Sequence, residues 1–233
     1  MRLAIISDIH SNLEALETAF GIIAGKKVDE IICLGDVVGY GPNPNECLEL
    51  VLKNTQYIML GNHDEAAVNL SVAEYFNPYA RIAAEWTNKE LTSKNKEVLR
   101  KLPYTLERHG LLFVHASPYQ PEMWYYIISF SDAQKNFRYF TQPVCFVGHS
   151  HVPIIFSDDI WTPDVQQGGK YIINVGSIGQ PRDHDPRLSF GIFDTETWQY
   201  ENVRAEYDMR ETARKIRVAG LPTILADRLF EGK

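Results

Sequence analysis

MRLAIISDIH SNLEALETAF GIIAGKKVDE IICLGDVVGY GPNPNECLEL VLKNTQYIML GNHD, residues 1–64, is the stretch that decides the fold. Three short apolar runs punctuate it, LAII at 3–6, EIICL at 30–34 and YIML at 57–60. Runs of this length bounded by turn residues read as buried strands. Between the first two, Leu13, Leu16, Phe20 and Ile23 share one face of a predicted helix, opened by Ser11 with Glu14 three residues on, a capping-box arrangement. A second predicted helix has Asn43 as its cap, Pro44 at its first position and Leu48, Val51 and Leu52 as its apolar stripe. The order strand, helix, strand, helix, strand predicts right-handed crossovers and a parallel sheet.

Further apolar runs come later in the chain: LLFV at 111–114, VCFV at 144–147, PIIF at 153–156, YIINV at 171–175 and LSFGIF at 188–193. From Glu74 to Leu102 the spacing is helical, with Ile82, Trp86, Leu91, Val98 and Leu99 available to pack. Two terminal helices are predicted to start near Asp208 and Leu221, the second with Pro222 in its first turn. No repeat, low-complexity tract or linker interrupts the chain. The reading is one domain over residues 1–233, with a helical and aromatic cap from about 65–142.

The 23 basic and 30 acidic side chains leave a formal charge of −7. That balance argues against a protein built to grip long nucleic acids, which needs clustered Lys and Arg. A chain of this size buries ~70% of its unfolded surface, so it folds without disulfides or a structural metal. Cys33, Cys47 and Cys145 form no C-x-x-C pair and suit a reducing compartment. No run approaches the ~18 apolar residues of a membrane span, so the expectation is a cytoplasmic protein with no membrane partner.

The residues just after each apolar run are more informative. LAIIS leads to Asp8 and His10, EIICL to Asp36, YIML to Asn62 and His63, LLFV to His115, and VCFV to His149 and His151. In open α/β sheets ligands bind beyond the carboxyl ends of strands, so these side chains would converge on one crevice. In an extended loop, residues i and i+2 face one side, which pairs Asp8 with His10 and His149 with His151. The glycines at 35, 61 and 148 permit sharp turns and close backbone approach. Singly, each Asp or Asn reads as turn or cap chemistry and each His as a structural residue. Together they hold five of the chain's seven histidines, which capping does not select. His109 and His184 are left unassigned.

In order, D-I-H at 8–10, G-D at 35–36, G-N-H-D at 61–64, His115 and G-H-S-H at 148–151 resemble the motif series of the calcineurin-like metallophosphoesterase superfamily. N-V-G-S-I-G-Q-P-R-D at 174–183 resembles a segment of its small bacterial and archaeal phosphodiesterase-like branch, with Val175 where that branch often has Pro. The resemblance implies an α/β fold, a four-layer α/β/β/α sandwich of two mixed sheets. It implies one metal held by Asp8, His10, Asp36 and His151, and another by Asp36, Asn62, His115 and His149, with Asp36 bridging. Two carboxylates against four imidazoles and an amide suit Mn, Fe, Zn or Co, with Mg also allowed, over Ca. Two such divalent or trivalent ions clamp a phosphate for in-line displacement and supply the positive charge the composition lacks.

By the same resemblance His63 protonates the leaving oxygen or stabilises transition-state charge. Asp64 either orients His63 or caps the following helix. The phosphoprotein phosphatases of the superfamily read G-D-x-x-D-R-G where this chain has G-D-V-V-G-Y-G, placing Gly39 and Tyr40 at the positions of an Asp and a phosphate-binding Arg. That departure favours a phosphodiester or phosphoanhydride of a small nucleotide-like substrate: a cyclic nucleotide, a dinucleotide or a dinucleoside polyphosphate. A Ser/Thr-type phosphoprotein phosphatase and a non-catalytic scaffold are the alternatives. Tyr40 and Arg182 are candidate substrate contacts. Tyr119 to Phe140 holds eight aromatics in 22 residues. Most are expected to fill a core or a subunit interface, which leaves a homo-oligomer open; the rival reading stacks them on nucleobases.

Overall fold

Period-two alternation in the apolar runs sets the architecture. In β1 (Arg2–Ile6), Leu3 and Ile5 join one core cluster while Ala4 and Ile6 join another. A strand with both faces apolar must be covered on both sides. The computed structural model, which describes residues 1–159 and 164–233, shows how.

A first mixed sheet has the order β2-β1-β8-β9, with β2 (Glu30–Cys33) parallel to β1, and β8 (Leu188–Asp194) and β9 (Tyr200–Ala205) antiparallel. A second has the order β3-β4-β5-β7-β6, built from β3 (Thr105–Arg108), β4 (Leu111–Val114), β5 (Val144–Val147), β6 (Ile154–Ser157) and β7 (Tyr171–Asn174). Leu3, Ile5, Ile32 and Leu34 of the first sheet pack against Phe113, Phe146 and Ile173 of the second. The Phe113 and Phe146 rings stack at 5.4 Å within that layer.

On the outer face of the first sheet, Ala4, Ile6 and Cys33 meet Leu16, Ala19 and Ile23 of α1 (Leu13–Gly25) and Leu48 and Val51 of α2 (Pro44–Asn54). On the outer face of the second, Val114, Cys145 and Ile172 meet Ala133 of α6 (Phe130–Asn136) and the Phe137 and Phe140 rings. The result is the four-layer α/β/β/α sandwich of two mixed sheets. Between these layers in sequence lie α3 (Asn62–Val68), α4 (Pro78–Glu90) and α5 (Ser93–Leu99). The chain closes with α7 (Met209–Val218) and α8 (Ile224–Asp227), whose Ala213, Ile216, Leu225 and Ala226 pack around Tyr40 together with Ala80 and Ala83 of α4. Among the described residues no helix is long and apolar enough to cross a membrane, and the three cysteines are free and buried.

Several local expectations are corrected. The first helix is capped by Asn12, whose side chain accepts from Ala15 N; Ser11 is a buried residue with φ 54°. YIML at 57–60 forms a single parallel bridge, Cys33 to Ile58, rather than a strand. The helix expected at Leu221 begins at Ile224 and lasts one turn. β3 and β9 escape sequence reading: their half-exposed sequences TLER and YENVRA carry too few apolar residues to read as buried runs. At Val175, where the resemblance allows Pro, the N–H donates to Val147 O and extends the β5–β7 ladder, a bond proline cannot make.

Candidate metal centre

The candidate ligands sit just past β1, β2, β4 and β5 and at the start of α3. The extended loop expected around Asp8 and His10 is not what turns them inward. Asp8, His10, Asp36, His149 and His151 all have φ between 50° and 64°, the left-handed region that Asp and His tolerate better than most residues. Each such residue reverses the chain within one step, so side chains on either side of a strand end face one point. Gly35 supplies a further turn with φ +108°, and Gly148 a close approach: a Cβ there would lie 2.4 Å from Asp8 Oδ2. Residues 177–180 hold this loop in place. Ile178 N donates to Ser7 O, Gly179 N and Ser177 Oγ donate to Asp8 O, and Asn12 Nδ2 donates to Gly179 O.

Two buried clusters result, Asp8 with His10 and His151, and Asp36 with His115 and His149, the ligand atoms within each lying inside 4.8 Å of one another. His10 Nε2 and His151 Nε2 are 3.1 Å apart, and His151 Nε2 is 3.2 Å from Asp8 Oδ1. His115 Nε2 lies 3.3 Å from Asp36 Oδ2 and 3.2 Å from Asn62 Oδ1. Asp36 Oδ2 is also 3.7 Å from His10 Nε2, so this carboxylate stands between the clusters. Two nitrogens bound at ~2.1 Å to one tetrahedral ion lie about 3.4 Å apart, which these separations approach.

The hydrogen bonds behind the rings decide what the facing atoms are. Nδ1 of His10 lies 3.2 Å from Val38 O, Nδ1 of His115 3.2 Å from Leu34 O, and Nδ1 of His151 2.5 Å from Gln180 O. A backbone carbonyl only accepts, so each Nδ1 carries the hydrogen, and the neutral rings of His10 and His151 turn a bare Nε2 lone pair inward, as His115 does once it has given up its second proton. Lone pairs then face lone pairs and carboxylate oxygens. His149 Nε2 and Asp8 Oδ1 are buried with no hydrogen-bond partner. Buried acceptors converging without a donor are costly. A cation between them would satisfy all of them, so the residues present fit two ions.

Protonation agrees with that chemistry. Burial lowers His10 well below its usual value, His149 to about 3 and His63 to about 4, and His151 is lowered chiefly by burial as well. Burial alone would raise Asp36 and Asp8, but the imidazoles around Asp36, His115 foremost, and His151 beside Asp8 outweigh it and hold both ionised. His115 is the exception: burial lowers it, yet the Asp36 charge and hydrogen bond lift it to about 9. A cation arriving there displaces one proton.

His63 comes directly after Asn62 on α3 and stands outside both clusters. Its ring lies 4.3 Å from Tyr40, 4.7 Å from Phe76 and 4.9 Å from His10, and Nδ1 is buried with no partner. Asp64 does not orient it: that carboxylate accepts from Val38 N and Gly61 N and caps α3. Tyr40 OH is 3.5 Å from an Arg182 Nη2 that also donates to Gln180 Oε1, and the Arg228 guanidinium covers the Tyr40 ring at 4.5 Å. Arg228 escapes sequence reading, because a lone Arg near the C-terminus carries no signal.

A recess of about 680 Å³ opens from Asn62, His63 and His149. Its rings are Tyr40, Tyr75, Phe76, Trp124 and Tyr126, and its carboxylates Glu65, Glu74 and Glu122. Tyr126 stacks on His149 at 4.0 Å, and Trp124 Nε1 donates to Glu65 Oε2 at 3.2 Å. The aromatic stretch therefore divides. Phe137 and Phe140 fill core, Trp124 and Tyr126 face the recess, and Tyr119, Tyr125, Phe130 and Tyr139 are exposed. His109 lies 2.9 Å from Glu30 and joins neither cluster.

A family model for the calcineurin-like phosphoesterase superfamily domain matches residues 1–198. The chain is 39% identical over 245 residues to uncharacterized protein MJ0912 of Methanocaldococcus jannaschii, covering 99% of this chain and 98% of the other. It is 25% identical over 204 residues to Phosphodiesterase YfcE of Escherichia coli, covering 84% and 89%. The crystal structure of a metallophosphoesterase from Sphaerobacter thermophilus superimposes with a TM-score of 0.89 at 40% identity, with both chains fully covered (100%).

Proposed function

The chain belongs to the calcineurin-like phosphoesterase superfamily, and from that premise we propose that it is a hydrolase using two metal ions to cleave a phosphodiester or phosphoanhydride bond of a small nucleotide-like substrate. The observation that carries the reading is the pair of buried acceptor clusters that meet at Asp36. Asp8, His10, Asp36 and His151 would hold one ion, and Asp36, Asn62, His115 and His149 the other. When bound, two such ions supply positive charge at the phosphoryl oxygens and a nucleophile at neutral pH.

The protein's own groups do the rest. Backbone hydrogen bonds behind His10, His115 and His151 fix their ring orientations, so the Nε2 atoms are aimed before any ion arrives. His63 flanks the phosphate from the α3 side. Held at about 4 by burial, it is a neutral imidazole that offers one ring N–H to the leaving oxygen, which supports charge stabilisation over full proton transfer. Arg182, beside Tyr40, forms no ion pair with a carboxylate among the described residues and contacts a non-bridging oxygen. With Gly39 and Tyr40 at the second motif, no Asp pairs with His63 and no Arg stands at that point, which supports a diester over a phosphomonoester dianion.

The experiment is turnover of bis-nitrophenyl phosphate, nitrophenyl phosphate, cyclic nucleotides and diadenosine tetraphosphate with Mn²⁺, Zn²⁺, Mg²⁺ or chelator, for wild type and His63→Ala. Chelator-sensitive diester cleavage is expected, with His63→Ala keeping both ions and losing about 10²–10³-fold in rate. Equal turnover by metal-free protein would remove the reading, and strong monoester preference would reverse the substrate class.

A further inference from the structure

The recess beside His63 is built differently from the phosphate site, and the difference identifies its occupant. Its volume of about 680 Å³ falls within the range of small-molecule sites. Five of its lining residues are rings, while Glu65, Glu74 and Glu122 are its only ionisable side chains other than tyrosine and histidine; among the described residues no Lys or Arg lines it. A second phosphate placed there would face three carboxylates. The recess instead fits a flat, uncharged π-system whose rim carries hydrogen-bond donors.

Glu65 is the group that can read such a rim. It lies three residues after Asn62 on α3, on the same face and one turn along. Trp124 Nε1 holds one carboxylate oxygen at 3.2 Å, which fixes the side chain against the indole. A carboxylate offers about four acceptor positions, so the bond to Trp124 leaves most of them for a ligand. Burial raises Glu65, moderated by that indole bond, which is the condition in which a donor from a ligand counts most. Across the recess Tyr126 is half exposed and anchored on His149, and Tyr75 is almost fully exposed. Both present open ring faces.

We infer that this recess takes the nucleobase of the substrate, with the base stacked on the aromatic wall and the Glu65 carboxylate accepting the two adjacent N–H donors of a guanine. The inference rests on the proposed phosphoester hydrolysis for its location, and it narrows the substrate to a guanine nucleotide whose single charge near the site is the scissile phosphate. Adenine offers that edge one donor group beside an acceptor, which would oppose the carboxylate. A polyphosphate chain is turned away by the three glutamates.

The test titrates the metal-loaded protein with GMP, AMP and ribose 5-phosphate, which differ only in the base, reading tryptophan fluorescence. GMP is expected to bind about tenfold tighter than AMP, with ribose 5-phosphate weakest. Trp124→Phe should remove most of the fluorescence change while leaving GMP binding detectable by titration calorimetry. Glu65→Gln, checked for folding by its melting curve, should bring GMP and AMP to equal affinity; if it does not fold, Glu65→Asp, which withdraws the acceptor by one methylene, should shrink the preference in the same direction. Equal affinity of all three ligands for wild type would overturn base binding, and AMP matching or exceeding GMP would overturn the role of Glu65. Chelator-insensitive diester cleavage is a separate result that touches only the hydrolytic reading, since base preference is read without turnover.

Discussion

Gly61→Ala tests the proposed bridge at Asp36 without touching any ligand. Gly61 has φ −102° and ψ 166°, a conformation alanine adopts freely, so only space is at issue. A Cβ at 61 would lie 2.1 Å from Asp36 Oδ1 and 2.3 Å from Asp36 N, against ~3.5–4.0 Å for an unstrained contact. The Asp36 carboxylate or the start of α3 must therefore move by about 1 Å or more. Oδ1 also accepts from His63 N at 2.8 Å, a charge-assisted bond whose loss costs about 1.5–3 kcal/mol, and overpacking adds about 1–3 kcal/mol. The metal-free variant should lose about 2.5–6 kcal/mol in a denaturant titration. Ion affinity, read by competition with a chromophoric chelator, should fall about 10–100-fold. Gly21→Ala is the matched control: it lies in α1 with no heavy atom within 4 Å of a new Cβ, and should gain about 0.5–1 kcal/mol. Two ions bound to Gly61→Ala with wild-type affinity and an unchanged rate of diester cleavage would refute the idea that Asp36 must sit where it does.

Metal removal and acid give two further tests. Each ion at a hundred times its Kd adds about 2.7 kcal/mol to the folded state, so chelation should lower Tm by about 5–11 °C per ion for a domain of this size; superimposable scans with and without chelator would count against ion binding at the clusters. Glu30 accepts two bonds from Arg108, at 2.6 and 2.7 Å, and is held at about 2, chiefly by those bonds, against 4.5 when free. Its contribution is therefore complete above pH 4.5 and disappears as pH falls through about 2. Glu30→Gln should cost about 1 kcal/mol at neutral pH and flatten the acid limb of the stability curve; parallel acid limbs in the two proteins would show that the pair does not set it.

Much of the fold was legible in the sequence because apolar runs and the residues after them obey local rules. LAII, EIIC, LLFV and VCFV became strands since nothing but burial suits them. YIML failed because strand formation needs a partner along its whole length, and only Cys33 pairs with it. TLER and YENVRA became strands for the opposite reason: edge pairing with β4 and β8 overrides weak patterning. The convergence of Asp8, His10, Asp36, His149 and His151 was legible from composition, whereas the backbone that achieves it was not, because a positive φ at Asp or His leaves no pattern. Phe76 and Arg228 join the site only through tertiary packing, so no spacing rule reaches them.

The same loops show why the clusters are hard to explain as mere structure. Local propensity, hydrogen bonding and charge normally agree in a folded chain, and coordinated disagreement marks places shaped for something else. Here five of the seven proposed ligands adopt left-handed backbone, each at a cost of roughly 1 kcal/mol or more. Two carboxylates are buried in a chain of net charge −7, and among the described residues they pair with imidazoles rather than with any Lys or Arg. The His10 and His151 rings, fixed from behind by carbonyls, turn lone pairs toward one another. A protein seeking stability alone would relieve any one of these by a single substitution, since an apolar residue in place of a buried acceptor is often neutral or better. The last two conflicts are removed together by positive charge at the two points where the acceptors converge, and the backbone strain is then the means by which those points are held apart from the apolar core directly beneath them.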